Sequence, residues 1–396
     1  MWIKSFIHSI VVGMMFKRKL DLNALLEKKS YFLFGPRGTG KSTLIKQNLS
    51  SDILVINLLE SQTRIRLLQN PQELESLITP HNPRAVVIDE IQKVPELLDE
   101  VHRLIEDKKI RFLLTGSSAR KLKRTSSNLL GGRARIANLF PLTYSEIPQF
   151  DLTRYLNSGG LPFIYSSEEP YEDLIAYVDA YLNEEIEQEA QVRNLGKFAR
   201  FLKCAALSNA EQINYANIAS DAMVSESTVR NHYLILKDTL IGDLLEPWKE
   251  SKKRKAIQTP KFYFFDTGVT HAIAGKKNIQ PHSSDYGHAF ESFIYMELRA
   301  ALSYQRTHIP LNYWRSVNQQ EVDFVIGEST AIEVKAKVRV TLRDTVGLQA
   351  LREEKVFKKF YVVSLDPQTR EEDGIVFLHW KKFLEQLWSE EIYPIP

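Results

Sequence analysis

Cysteine is almost absent from this chain, because Cys204 is the only one among 396 residues. A single cysteine excludes an internal disulfide and any thiolate zinc site, and we expect a reducing cytoplasm as the location. Charge of one sign is also lacking, since 52 Lys and Arg against 49 Asp and Glu leave a net charge of +3. Any affinity for nucleic acid must therefore come from local basic clusters, such as 121–124 and 249–255.

Long hydrophobic runs are missing as well. The apolar stretch over 1–15 is too short to span a bilayer. The basic run 17–19 follows this stretch, whereas a signal peptide has its basic residues first. We expect no membrane partner and interpret 1–15 as an N-terminal extension, either a surface helix or a stretch upstream of a start at Met14 or Met15.

Apolar runs rich in β-branched residues alternate with amphipathic, helix-length segments up to about residue 150. The runs lie at 31–35, 53–57, 85–89, 112–116 and 136–140. Such alternation predicts a parallel α/β sheet. The length of the chain exceeds what one ordinary core supports, so we expect several modules.

The pattern changes after the predicted sheet. A long helical pattern covers 171–209, and the stretch 209–245 reads as a helix-turn-helix whose second helix begins after Ser225 as N-cap. With the basic loop 249–255 and a strand at 261–265, this stretch resembles a winged helix. A small α/β domain is predicted to follow, with a helix at 285–302, strands at 311–315, 321–326 and 331–335, a helix at 344–354 and a strand at 359–364.

A glycine-rich motif connects the first predicted strand to a predicted helix. Gly35-Pro36-Arg37-Gly38-Thr39-Gly40-Lys41-Ser42, followed by Thr43, matches the P-loop pattern in full. In such a loop the backbone N–H groups point inward at phosphates, and the helix adds its positive N-terminal end. Lys41 would neutralise the β and γ phosphates of ATP, and Ser42 would bind Mg²⁺. The alternative is a glycine-rich loop that merely turns the chain.

Two carboxylates end the apolar strand at 85–89. Asp89 would hold Mg²⁺ directly or through water, and Glu90 would act as the general base that polarises the attacking water. Acids at a strand end are often plain helix N-caps, which is the alternative interpretation.

The chain from Phe16 onward resembles the AAA family, specifically bacterial and archaeal ATPases that join an AAA-type domain to a C-terminal restriction-endonuclease-like domain. The resemblance rests on the P-loop and on the segments 88–92, 114–118, 131–135 and 140–142. It implies a γ-phosphate sensor at Ser117 or Ser118, and an arginine finger at Arg133 or Arg135 that reaches a neighbouring subunit's nucleotide. Self-association through the ATPase domain would then be required, whereas phosphate-free surface charge is the rival interpretation of both arginines.

The predicted domains are an extension at 1–15, an AAA ATPase core at 16–150, a helical lid at 151–208, a winged helix at 209–270 and a nuclease-like domain at 285–396. Within the lid, Phe163 follows Gly159-Gly160-Leu161-Pro162 at a place where many AAA proteins carry a second-sensor arginine. Arg193 is a weak substitute for that arginine.

The C-terminal domain carries the pattern of a PD-(D/E)xK nuclease. Asp323 and Glu333 lie on adjacent predicted strands, and strand alternation places Lys335 on the same face as Glu333. Asp323 and Glu333 could share a divalent metal, with Glu291 as an auxiliary ligand, while Lys335 orients or activates water. Val322 replaces the signature proline, and the alternative is a half-buried strand with outward charges.

In the winged helix, Val229, Tyr233, Leu236 and Leu240 are predicted to face a core, which leaves Arg230, Asn231 and Lys237 outside. The outer face could contact DNA or could serve a structural or protein-docking role.

The whole pattern predicts an enzyme that binds and hydrolyses ATP with Mg²⁺, binds DNA, and cleaves it with its C-terminal domain under nucleotide control. The alternative is a nucleotide switch whose nuclease-like domain only binds nucleic acid or a protein partner. A protein-remodelling machine is a poorer hypothesis, since no substrate-threading aromatic loop is evident.

Overall fold

The computed structural model describes residues 16–118, 130–181, 186 and 194–394. Within them, five parallel strands form the N-terminal sheet in the order β2-β3-β4-β1-β5. These strands are β1 (Ser30–Phe34), β2 (Ile53–Asn57), β3 (Ala85–Asp89), β4 (Arg111–Gly116) and β5 (Ala134–Asn138). The predicted parallel α/β sheet is confirmed, and it is consistent with a P-loop NTPase-like domain.

Burial along the strands follows their position in the sheet. Every residue of β1 and β3 is buried, whereas the edge strands β2 and β5 expose Val55 and Ile136. Strands covered on both faces need continuous apolar runs, which is why the central strands were visible in the sequence. The flanking helices are α1 (Leu22–Lys28), α2 (Lys41–Asn48), α3 (Ser61–Gln69), α4 (Glu73–Ile78) and α5 (Leu97–Lys108).

The helical segment between β3 and β4 does not start directly after the strand. Residues Ile91–Lys93 form a 3₁₀ turn, and α5 starts only at Leu97. Pro95 explains the break, because proline lacks the backbone N–H that a helix interior requires. The helix is amphipathic, with Leu97, Val101 and Leu104 buried on one face.

A helical region follows the sheet. Its helices are α6 (Leu152–Ser158), α7 (Pro162–Tyr165), α8 (Pro170–Tyr181), α9 (Leu195–Leu207), α10 (Tyr215–Ala222) and α11 (Glu226–Asp238). Among the described residues, the helical pattern predicted over 171–209 includes α8 and α9. Arg193 lies outside the described residues, as do the extension 1–15 and the basic cluster 121–124.

The predicted second helix of the helix-turn-helix is α11, and Ser225 caps it by accepting a hydrogen bond from the backbone N–H of Thr228. Val229, Tyr233 and Leu236 are buried as predicted, while Leu240 is only partly buried and packs against the core of the N-terminal sheet.

An antiparallel hairpin of β6 (Gly242–Leu245) and β7 (Lys261–Phe264) comes next, followed by α12 (Thr267–Ala274). The long connection between the strands lies along the C-terminal domain, where the Trp248 backbone N–H donates to the Tyr313 carbonyl at 2.7 Å. Glu354 accepts hydrogen bonds from the backbone N–H groups of Lys252 and Lys253. The basic loop 249–255 is therefore anchored on that domain, although the Lys252, Lys253 and Lys255 side chains stay exposed.

The C-terminal domain contains a mixed six-stranded sheet, counted over the described residues, in the order β12-β13-β11-β10-β9-β8. Its elements are α13 (Ser284–Tyr304), β8 (Leu311–Arg315), β9 (Glu321–Ile326), β10 (Thr330–Lys335), α14 (Val346–Arg352), β11 (Lys359–Ser364), β12 (Arg370–Glu372), β13 (Ile375–His379) and α15 (Trp380–Trp388). The helix predicted over 344–354 is shorter, because a 3₁₀ turn occupies Leu342–Thr345.

One apolar core joins the helical region to the C-terminal domain, since Tyr155 of α6 packs on Phe293 of α13, which in turn meets Trp380 of α15. None of the helices in the described ranges is both long and apolar enough to cross a membrane.

Candidate functional site

The P-loop connects the carboxyl end of β1 to the start of α2. Gly38 and Gly40 have φ angles of +80° and +90°, a left-handed conformation that favours glycine. The Lys41 ammonium is buried inside the loop, where it donates to the carbonyl oxygens of Gly35 at 2.6 Å and Pro36 at 3.2 Å. Thr39 is also buried and donates to the Pro36 carbonyl at 2.8 Å, so the loop is closed around the lysine.

A hydroxyl and a carboxylate meet beside the P-loop. The Ser42 hydroxyl donates to Asp89 Oδ2 at 2.9 Å, and the Thr115 hydroxyl donates to Asp89 Oδ1. Serine and aspartate oxygens are hard ligands of the kind that Mg²⁺ takes in P-loop sites, so this pair fits the ion. Thr115 was not predicted, although it lies in the quoted segment 114–118 at the end of the neighbouring strand.

Glu90 has a left-handed backbone, with φ of +63°, which is uncommon for a residue with a side chain. Its carboxylate accepts a hydrogen bond from Gln92 Nε2 at 2.5 Å, and the same amide nitrogen lies 3.2 Å from Ser117 Oγ. Gln92 is 1% exposed, so a buried amide joins the predicted base to one of the two predicted sensors. Ser118 faces elsewhere, since its hydroxyl lies 3.4 Å from the Asp238 carbonyl at the end of α11.

Two aromatic residues of the helical region contact the P-loop. An ideal Cβ placed on Gly38 would lie 2.9 Å from the ring of Phe163, so that ring covers the loop. The Tyr177 hydroxyl donates to the Arg37 carbonyl at 3.0 Å. Thr43 lies in the first turn of α2 and is exposed.

The two predicted arginine fingers lie at the far end of the sheet from their own P-loop. Ala134 pairs with Ser30, the first residue of β1, whereas the P-loop follows the last. Arg133 forms an ion pair with Glu106, and Arg135 is exposed on the edge strand β5. Neither arginine is placed to reach the phosphates of its own chain, so a finger role would require a second copy.

The C-terminal acids lie on neighbouring strands, as predicted. Asp323 on β9 accepts a hydrogen bond at Oδ2 from the backbone N–H of Val334 at 2.8 Å. Glu333 and Lys335 of β10 share one face and form an ion pair. Burial raises the pKa of Glu333, and the nearby Asp323 charge raises it further.

A second lysine lies among these acids and was not predicted. Lys261 of β7 places its Nζ 3.1 Å from Glu291 Oε1, 2.5 Å from Glu321 Oε1 and 3.7 Å from Asp323 Oδ1. Burial opposes the charge on Lys261, but the surrounding carboxylates raise its pKa well above the ordinary value. No local motif predicts this contact, because Lys261 is distant from the nuclease pattern along the chain.

Comparison with known proteins bears on the first of these sites. Residues 27–148 match the family described as AAA domain. The N-terminal region is an AAA-type, P-loop ATPase-like domain. Residues 149–280 and 286–383 match two families that are each described as a domain of unknown function, DUF8612 and DUF4143.

The chain is also similar to several curated proteins that are described only as uncharacterized. One from Mycobacterium tuberculosis is 27% identical over 319 residues, which cover 76% of this chain and 69% of that protein. One from Methanocaldococcus jannaschii is 23% identical over 334 residues, covering 76% and 73%. One from Haemophilus influenzae is 22% identical over 388 residues, covering 89% and 93%. These descriptions name no substrate, so the comparisons support an ATPase-type function of the AAA domain and assign none to the rest.

The acids of the C-terminal domain fit a hard divalent cation by type, because carboxylate oxygens are what such ions bind. Glu333 Oε2 is buried and has no hydrogen-bond partner within the described part of the chain. Across the same described ranges, however, no three His, Cys, Asp or Glu side chains are arranged to hold one metal ion. The set Glu291, Asp323 and Glu333 is brought close together, and its role as metal ligands stays a prediction.

The outer face of α11 has mixed chemistry. Arg230, Asn231 and Lys237 are exposed as predicted, and so is Leu234, at 51%. The Arg230 guanidinium lies over the ring of Tyr215, 3.7 Å from its centre, a contact that orients the arginine without removing it from solvent.

Proposed function

We propose that this chain binds and hydrolyses ATP through its AAA domain, and uses the nucleotide to control DNA binding and metal-dependent DNA cleavage by its C-terminal domain. The observation that supports ATP hydrolysis is a set of hydrogen bonds beside the P-loop. These bonds link Ser42 to Asp89 and link Glu90 to Ser117 through the Gln92 amide. The DNA-directed part rests on the acids of β9 and β10 and on the exposed cations of α11 and the loop 249–255.

In the proposed ATPase site, Lys41 and the loop backbone bind the β and γ phosphates, while Ser42 and Asp89 hold Mg²⁺. Magnesium supplies charge neutralisation of the phosphate oxygens when bound. Glu90 takes the proton of the attacking water, and Gln92 orients Glu90 by the 2.5 Å hydrogen bond to its carboxylate. Ser117, held on the same amide, is the better sensor candidate of the two serines.

In the proposed nuclease site, Asp323 and Glu333 hold the metal, Glu291 assists, and Lys335 orients the attacking water. Supporting this assignment, the buried Glu333 oxygen without a partner is a group whose desolvation a cation would compensate. Burial and, after it, repulsion by Asp323 raise the pKa of Glu333, and a bound cation would offset both effects.

A second candidate function is the nucleotide switch, in which the C-terminal domain binds nucleic acid or a protein without cutting. The position of Lys261 favours it, because a buried ammonium already lies within 4 Å of three carboxylates there. In that case nucleotide-dependent association would be observed without Mg²⁺-dependent cleavage products.

Self-association is part of the proposal for the AAA domain. Arg133 and Arg135 would act on the nucleotide of a neighbouring copy, since they lie at the far end of β5 from their own P-loop. ATP-dependent assembly in size-exclusion chromatography with light scattering, and slower hydrolysis in Arg133→Ala or Arg135→Ala, would support this role. A monomer with full ATPase activity would contradict this role of the two arginines.

The nuclease assignment is tested by incubating the full chain with linear, circular and single-stranded DNA, with and without ATP and Mg²⁺. Lys335→Ala should abolish cleavage, while Lys337→Ala, an exposed lysine two positions away that pairs with Asp344, should not. The response of cleavage to Lys41→Ala then shows whether ATP controls it. ATPase activity with no cleavage under any condition would favour the nucleotide switch.

A further inference from the structure

The C-terminal acids converge on a lysine that comes from outside their own domain. Glu291 belongs to α13, while Glu321 and Asp323 belong to β9. The Lys261 ammonium reaches all of them from the hairpin strand β7, and its side chain is 3% exposed. Several carboxylates surround one buried positive charge, as they do in a cation site. Here the positive charge belongs to the Lys261 side chain.

The ammonium and a divalent ion cannot share this place. Two of the acids that Lys261 contacts, Glu291 and Asp323, are predicted metal ligands, and both would have to turn from the lysine toward the ion. Like charges a few ångströms apart in a buried environment repel strongly. Glu333 pairs with Lys335 through Oε1, while its Oε2 is buried without a hydrogen-bond partner in the described chain, so the two lysines leave one acidic oxygen uncompensated.

Strand β7 is fixed in this position by a second residue. The Tyr263 hydroxyl, two residues after Lys261, donates to Glu291 Oε1 at 2.6 Å. Its ring stacks on Tyr295 of α13, with ring centres 4.1 Å apart. The lysine therefore enters the acidic site because the hairpin lies against α13, and a movement of β7 relative to that helix would withdraw it.

A short path of contacts leads from β7 to the P-loop. Asp266, two residues after the strand, accepts a hydrogen bond from the backbone N–H of Gly160 at 2.7 Å. The packing is close there, because a Cβ on Gly159 would lie 1.9 Å from Asp266 Oδ1. The same segment continues into Phe163, whose ring covers Gly38 of the P-loop. A nucleotide that displaced Phe163 would thus act on the segment to which the end of β7 is bound.

We propose that Lys261 is an internal plug that competes with divalent metal for Glu291, Glu321 and Asp323, so that metal binds only after β7 withdraws. This inference rests on the proposed metal-dependent function of the C-terminal domain, and it names the regulation of that site. Nucleotide binding at the AAA domain withdraws the plug through the segment from Gly160 to Phe163.

The test measures Mn²⁺ binding to the full chain without nucleotide. The electron paramagnetic resonance signal of the free ion reports how much Mn²⁺ stays unbound. Lys261→Met removes the charge and keeps much of the apolar stem, and Lys337→Met is the control at a half-exposed lysine of the same domain. We expect Lys261→Met to bind Mn²⁺ at least about tenfold more tightly than the wild type and the control. Adding Asp323→Asn should abolish that gain, which would locate the ion among these acids.

Equal Mn²⁺ affinity in the wild type and Lys261→Met would overturn the plug. Because removing a buried cation leaves its acids uncompensated, Lys261→Met could fail to fold. The double variant Lys261→Met with Glu321→Gln removes one charge of each sign, and Mn²⁺ should raise its melting temperature but not that of Glu321→Gln alone. No difference between those two variants would also overturn the proposal.

The outcome separates the plug from the nuclease activity. Tighter Mn²⁺ binding in Lys261→Met without any DNA cleavage would support the plug and contradict the nuclease activity. DNA cleavage by the wild type, with no gain of Mn²⁺ affinity in Lys261→Met, would support the nuclease activity and contradict the plug.

Discussion

Gln92→Leu is the substitution that most sharply tests how the ATPase site is built. Leucine has a similar size but cannot donate the hydrogen bonds by which Gln92 holds Glu90 at 2.5 Å and Ser117 at 3.2 Å. A hydrogen bond to a charged group contributes about 1.5–3 kcal/mol. If that energy is expressed only in the transition state, kcat for ATP falls about 10- to 150-fold, at about 1.4 kcal/mol for each factor of ten.

The KM for ATP should stay close to the wild-type value, because the hydrogen bonds described for Gln92 join it to Glu90 and Ser117 rather than to the P-loop, the proposed phosphate site. A coupled-enzyme ATPase assay measures both constants, with Gln69→Leu as a matched control at an exposed position of the same domain. Circular dichroism confirms that the variant folds. A folded Gln92→Leu enzyme whose kcat lies within about twofold of wild type would refute the role of Gln92 as the residue that positions Glu90.

Three further predictions follow from the structure. Arg18→Met should lower the free energy of unfolding by about 3 kcal/mol in urea titrations, since it breaks the buried 3.1 Å pair with Glu146, and a change below about 1 kcal/mol would contradict this. Burial raises the pKa of Glu297 to about 8, so the folded chain holds a proton that the unfolded chain loses and wild-type stability falls as pH rises toward that value. The free energy of unfolding of Glu297→Gln should therefore rise relative to that of the wild type as pH increases from about 5 to 8. A difference that stays constant across that window would contradict the raised pKa. Gly38→Ala should weaken binding of a fluorescent ATP analogue about 5- to 30-fold, because alanine costs about 1–2 kcal/mol at φ of +80°; Gly132→Ala, at the same φ with nothing within 4 Å of the added carbon, should not.

Most strands of the two large sheets were predictable because their signals are local. A central strand such as β3 shows four consecutive apolar residues followed by Asp89, and the P-loop between β1 and α2 is a contiguous motif. The residues that complete the sites were not predictable in the same way. Thr115 and Gln92 acquire their roles from neighbours on other strands, and the sequence shows only ordinary polar residues at strand ends.

Lys261 illustrates the limit most clearly. It lies on β7, 60 positions before Glu321, and only the packing of the hairpin on α13 brings it among the acids. The strands β6 and β12 were also missed, since strands of four and three residues carry little periodicity. The strand β13 was missed although it contains the apolar run 375–378. In α15, by contrast, Trp380, Phe383, Leu384 and Leu387 are spaced as a helix face, so the sequence did contain a signal for that helix.

The most direct test of the central claim is ATP binding and hydrolysis by the wild type, Lys41→Ala, Glu90→Gln and the exposed-site control Lys46→Ala, each with and without Mg²⁺. We predict Mg²⁺-dependent hydrolysis in the wild type and in Lys46→Ala, and its loss in Lys41→Ala. Glu90→Gln should still bind ATP while its hydrolysis falls at least about 100-fold, as expected when a general base is removed. Hydrolysis at the wild-type rate in both Lys41→Ala and Glu90→Gln would contradict the assignment of this ATPase site.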